Sequence, residues 1–89
     1  MRTITRTSPF KRDVKRMQGQ GRALEKLKRV LETLVKGEPL AEKHRDHVLV
    51  GQYKGTRECH IEPDWFLIYE LGETEIVLIR MGSHSDQFR

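Results

Sequence analysis

Residues 65–81 read WFLIYELGETEIVLIRM, and this stretch decides the fold. Its first seven residues, Trp65–Leu71, are apolar almost throughout, as in a strand buried on both faces at the centre of a sheet. Glu75–Met81 is a second run of the same kind. Leu71-Gly72-Glu73-Thr74 between them makes a hairpin connection, so the two strands run antiparallel. Arg80 stands near the end of the second strand among apolar neighbours. A charged side chain there is expected to project from the sheet into a site.

Working outward, Pro63-Asp64 makes a turn. Thr56–Glu62 alternates as a strand, with Cys59 and Ile61 on one face and Glu58 and His60 on the other. His47–Val50 reads as a short strand ended by Gly51, and Gly55 marks a bend. After the hairpin, Gly82 ends the last strand and Ser83–Phe88 forms a short tail.

Toward the start, Arg2–Thr7 alternates as a first strand. Ser8 is read as a helix N-cap with Pro9 at the first helical position. Phe10, Val14 and Met17 then recur at helical spacing, and Gly19-Gln20-Gly21 breaks the pattern. A second helix spans Arg22 to Lys36, with Leu24, Leu27, Leu31 and Leu34 as its core stripe. Gly37 suits its C-terminal cap and Pro39 stops it. The chain therefore predicts one α+β domain over residues 1–89. It consists of an N-terminal strand, a two-helix hairpin and a small antiparallel sheet of three to four strands, with both helices on one face.

Charged residues make up 34% of the chain and the net charge is +4. Residues 1–45 hold 13 Lys/Arg against 5 Asp/Glu, whereas residues 46–89 hold 4 against 8. The basic half is an expected surface for phosphates or for an acidic partner. The single cysteine, Cys59, cannot form an intramolecular disulfide. Met1–Phe10 lacks the apolar core of a signal peptide, and no stretch is long enough to span a membrane. The expectation is a cytoplasmic protein with no membrane association.

Four candidate proton carriers fall beside turns and strand ends: His47, His60, Asp64 and His84. Histidine moves protons readily near neutral pH. With Arg80 to neutralise charge and Trp65, Phe88 or Tyr53 to stack on a base, they fit metal-free phosphodiester cleavage. Each alone also has a plain structural reading, and only their joint presence points to chemistry. The same histidines with Asp64 could hold zinc, yet no HxH, HExxH or paired Cys/His spacing occurs, so no metal is expected. No P-loop or GxGxxG pattern occurs, and no cofactor is expected.

The run HVLVGQYKGTRECHIEPDWFLIYEL from His47, the later RMGSH from Arg80, the near-terminal Phe88 and the upstream SPFKRDVKR resemble the YafQ branch of the RelE/ParE toxin superfamily. The resemblance covers nearly the whole chain. It implies a RelE-like α+β fold and an endoribonuclease that cuts mRNA in the ribosomal A site. It also implies a cognate antitoxin of the DinJ/RelB kind that silences the toxin. By position, His47, His60, Asp64 and His84 match the family's catalytic residues, and Arg80 its phosphate-stabilising arginine. Phe88 matches its near-terminal aromatic, and Trp65 a tryptophan beside the active aspartate. Glu58 departs from the pattern where an aspartate is usual. Lys11, Arg12, Lys15, Arg16, Lys26, Lys28 and Arg29 are then the expected contacts to 16S rRNA phosphates. The rival reading is a ParE-type toxin that binds DNA gyrase and needs no such set of histidines.

Overall fold

The computed structural model describes residues 1–49 and 55–83. In chain order it holds β1 (Thr3–Arg6), α1 (Ser8–Gly19), α2 (Leu24–Val35), a 3₁₀ turn (Glu42–His44), β2 (His47–Val48), β3 (Arg57–Glu62), β4 (Trp65–Leu71) and β5 (Glu75–Ser83). The sheet order is β1-β5-β4-β3-β2. Strands β2 to β5 form the expected antiparallel run. The addition is β1, which lies parallel to β5 in the register Thr3↔Glu75 to Arg6↔Leu78 and makes the sheet five-stranded and mixed.

Alternation along the strands sorts the sheet into two faces. Cys59, Ile61, Trp65, Leu67, Tyr69, Ile76, Leu78 and Met81 join Phe10 and Met17 of α1 and Leu27, Val30 and Leu34 of α2 in one core. Both helices therefore cover the same face. Phe66 and Ile68 of β4 point to the other face and are also buried, which is why this strand reads as apolar throughout.

Local chemistry sets the helix ends. The N-cap of α1 is Thr7, one residue before the Ser8 expected. The Thr7 hydroxyl accepts from Phe10 N–H at 3.1 Å and donates to Ile79 O at 2.8 Å, a second bond that favours Thr7 over Ser8. At the end of α2, Gly37 takes φ 78°, its N–H reaches Leu34 O and Glu38 N–H reaches Thr33 O, both at 3.1 Å. That pair of bonds is the glycine-dependent cap the sequence predicts. Arg2 adds a side-chain bond from Nη1 to Leu34 O at 3.0 Å, tying the first residues to the same helix end.

Strand β5 continues through Gly82 to Ser83, beyond its expected end, and an irregularity in its pairing with β4 falls between Leu78 and Arg80. Past Arg6 it loses β1 as a neighbour, and α1 takes over that edge. Besides the Thr7 bond, Asp13 Oδ2 accepts from Met81 N–H at 2.9 Å, and Arg16 Nη2 donates to Met81 O at 3.3 Å. Side chains of a helix thus satisfy backbone groups that an open sheet edge leaves bare.

Candidate functional site

Backbone pairing assembles the site from four strands. His47 pairs with Glu58, Glu58 with Ile68, and Ile68 with Arg80, so one row crosses β2, β3, β4 and β5. His60 pairs with Phe66 in the next row of β3 and β4. Paired residues share a face, and Glu58 and His60 alternate with the core residues Cys59 and Ile61. The carboxylate and both imidazoles therefore stand on the face away from the helices, over a floor that includes Phe66 and Ile68. Neighbouring strands lie about 4.8 Å apart, which puts the Glu58 and Arg80 backbones roughly 10 Å from each other.

Glu58 joins the two histidines. Its Oε1 lies 3.2 Å from His47 Nε2 and 3.4 Å from His60 Nε2. The opposite ring nitrogens also face acceptors: His47 Nδ1 is 3.3 Å from Val48 O, and His60 Nδ1 is 3.2 Å from Pro63 O. A ring nitrogen facing a carbonyl or carboxylate oxygen can only donate, so a neutral imidazole keeps one of these two bonds and leaves its other nitrogen as an acceptor. A further histidine, His44, donates from Nδ1 to His60 O at 2.7 Å and braces β3 beside His60. Both Glu58 and His44 lay outside the expected set. The Glu-Cys-His spacing at 58–60 is the signal that could have found Glu58, since residues two apart on a strand share a face.

Arg80 stands in the row, and a buried carboxylate of α1 grips its guanidinium. Nε lies 2.8 Å from Asp13 Oδ2 and Nη2 3.2 Å from Asp13 Oδ1. Asp13 also accepts from Arg16 Nη1 at 3.0 Å and is only 1% exposed. Burial by itself raises a carboxyl pKa. The hydrogen bonds from Arg80, Met81 N–H and Arg16 outweigh that and hold Asp13 below its ordinary value.

Asp64 forms a two-point pair with Arg22, Oδ1 to Nη1 at 3.2 Å and Oδ2 to Nη2 at 3.0 Å. The turn after Pro63 carries it toward the start of α2. Trp65 is fully buried in the core, with Arg22 5.8 Å over its ring. A ring so enclosed presents no face to a nucleobase, so the stacking role expected of Trp65 does not fit its position. His84, Phe88 and Tyr53 lie outside the described residues. The seven basic residues Lys11, Arg12, Lys15, Arg16, Lys26, Lys28 and Arg29 are all exposed on the two helices. Two of them have local partners: Arg16 is tied to Asp13, and Lys26 reaches Glu62 at 2.8 Å.

One ligand atom each from His47, Glu58 and His60 falls within 4.8 Å of the others, a donor set of two imidazoles and a carboxylate that suits a borderline divalent metal. A groove of about 820 Å³ lies between α2 and residues 38–44, lined by Val30, Leu40 and Ile61 and by the charged residues Lys26, Arg29, Lys43, Glu38 and Glu62. No helix among the described residues is long and apolar enough to cross a membrane.

This five-stranded sheet with two helices on one face is shared with solved structures of bacterial toxins. The E. coli DinJ–YafQ toxin–antitoxin complex contains a chain that superposes with a TM-score of 0.89 at 36% identity, over 99% of this chain and 98% of that one. A metal-bound toxin from Helicobacter pylori superposes at 0.89 with 40% identity, over 99% of this chain and all of that one. In sequence, the mRNA interferase toxin YafQ of E. coli K12 is 36% identical over 88 residues, 98% of this chain and 96% of the relative. The model of the YafQ family, bacterial toxins of type II toxin–antitoxin systems, matches residues 2–89. The chain belongs to the YafQ toxin family.

Proposed function

We propose that this chain is an mRNA interferase, a ribosome-dependent endoribonuclease that cuts mRNA in the A site and is neutralised by a cognate antitoxin. The observation that carries this reading is the His47–Glu58–His60 cluster on the open sheet face, with Arg80 in the same row of strands. Cleavage of a ribose phosphodiester needs a base for the 2′-hydroxyl, an acid for the departing 5′-oxygen and cations around the phosphate. In this reading His47, as a neutral imidazole backed by Glu58 and with Asp64 as a second carboxylate, takes the 2′-hydroxyl proton. His60 and Arg80 neutralise the phosphate, and His84 protonates the leaving oxygen. The products are a 2′,3′-cyclic phosphate, or the 3′-phosphate it opens to, and a 5′-hydroxyl end.

The exposed lysines and arginines of α1 and α2 hold the protein against 16S rRNA, contacts that position without reading sequence. The groove beside α2, with Val30, Leu40 and Ile61 in its lining and Arg29 and Lys43 among its charges, suits an amphipathic antitoxin segment. A relative's complex with DinJ supports a partner of that kind.

The steps above run on proton transfer alone. A metal held by His47, Glu58 and His60 would act as a Lewis acid, and it would occupy the nitrogens this scheme uses for protons. A relative with bound metal makes the comparison worth running: cleavage that survives EDTA and falls on adding copper or zinc fits acid–base chemistry.

The test is cleavage of a defined mRNA on programmed ribosomes by wild type, Glu58→Gln and His60→Ala, with the new RNA ends mapped. Ribosome-dependent cuts by wild type, leaving 5′-hydroxyl ends and lost in both variants, are the expected result. No cuts by folded wild type would turn attention to gyrase binding.

A further inference from the structure

The strand that carries His47 has little apolar anchorage. β2 is two residues long and both are exposed, Val48 to 58%. It is the outermost strand of the sheet, where two rungs of pairing open at small cost. A slip of one residue would turn His47 to the opposite face. Something other than burial must fix its register.

Among the described residues, the contacts that bear on it are polar. Asp46 Oδ1 accepts from the Tyr69 hydroxyl at 2.6 Å and from Arg57 Nε at 3.2 Å. Tyr69 is fully buried at the middle of β4, on the helix-facing side of the sheet. Phenylalanine would fill that core position as well, so the hydroxyl answers to something other than packing. Burial first, then the bond to Asp46 and its charge, pushes the phenol up, so it remains a donor throughout the neutral range. Arg57, whose own pKa is raised by its bond to Asp46, stands directly across from Val48 of β2. Upstream, Arg45 takes φ 45°, and this left-handed residue turns the chain out of the 3₁₀ turn toward Asp46. Successive side chains in an extended segment point to opposite faces. A carboxylate fastened to the helix-facing Tyr69 therefore aims the next side chain, His47, at the open face and at Glu58.

We propose that Asp46, latched by Tyr69 and Arg57, is a positioning residue for His47. The proposal rests on the nuclease reading. Tyr69 and Arg57 touch neither substrate nor reacting atoms; they act through Asp46 on the geometry of the imidazole.

The test combines two measurements on Tyr69→Phe and on Asp46→Ala. The first is amide exchange at Leu49, whose N–H bonds Thr56 O at 2.8 Å across the β2–β3 ribbon. Exchange there should quicken about tenfold, the scale of one bond to a charged group, while amides of the β4–β5 ladder keep their protection. The second is ribosome-dependent cleavage, where kcat should fall about tenfold with KM unchanged. In a His47→Ala background neither substitution should lower cleavage further. Tyr69→Phe that cuts at the wild-type rate, or that lowers the His47→Ala rate by the same factor, overturns the positioning role and leaves the nuclease standing. Wild type that cuts nothing removes the nuclease reading and this one with it. Asp46→Ala, at a partly exposed site, serves if the core variant does not fold.

Discussion

The β4–β5 hairpin and the β2–β3 ribbon belong to one sheet but are held by different forces. In the hairpin, Trp65, Leu67, Tyr69, Ile76, Leu78 and Met81 are all 0% exposed. In the ribbon, both residues of β2 are exposed, and its described contacts run through Asp46, His44 and Glu58. Apolar burial is strong and indifferent to direction. Polar contacts are weaker one by one, but they specify orientation. The contrast teaches where this fold keeps its chemistry: the hairpin supplies stability, and the ribbon supplies aimed nitrogen and oxygen atoms.

The comparison can be broken first at its strongest point. Trp65→Ala should cost about 3–5 kcal/mol in denaturant unfolding, a large part of what a domain this size has. A loss under about 1 kcal/mol would mean the hairpin is not the anchor.

Asp13→Asn comes next, with an expected loss of about 3 kcal/mol, because two arginines and Met81 N–H converge on that buried carboxylate. Its folded pKa lies below the unfolded one, so the unfolded chain binds more protons. The stabilisation is present above the ordinary carboxylate value of 3.8 and drains away as pH falls below it. Melting curves from pH 2 to 7 should show a flatter acid limb in Asp13→Asn. Parallel limbs would separate Asp13 from acid sensitivity.

Glu58→Gln should divide the two regions most cleanly. Cleavage is expected to fall about a hundredfold, while stability stays within about 0.5 kcal/mol of wild type. Equal cleavage would strike Glu58 from the chemistry, and a large fall in melting temperature would make it a structural residue. The smallest effect expected is at Gly37→Ala, about 1 kcal/mol, from the left-handed φ and from a Cβ placed 3.3 Å from Arg2 Nη1. Cleavage per folded molecule should not change.

The parts of the molecule governed by burial could be read from the sequence. The apolar runs at 65–71 and 75–81, the leucine spacing of α2 and the cap at Gly37 each have one physical meaning. The alternation at 58–61 assigned faces correctly as well. Contacts between distant polar groups could not be read. Asp13 lies in the run KRDVKR and looks solvated, and nothing local says that Arg80 and Met81 N–H wait for it 67 and 68 residues on. Tyr69 looks like plain core, since its hydroxyl partner Asp46 belongs to a loop. Trp65 sits beside the site in sequence, but its side chain turns inward to the core. That β1 pairs with the last strand also escapes local reading, because any open edge could have received it.

That pairing bears on how the protein is made. Thr3 to Arg6 find their partners at Glu75 to Leu78, so about seventy intervening residues must be synthesised before the first strand has a neighbour. Contacts this far apart form late, after the intervening loop has been closed. A nascent chain still short of β5 lacks Arg80 and the partner that fixes β1, and its sheet stays incomplete. Translation must pass residue 78 before this fold can close, so the first strand emerges long before it has anything to pair with.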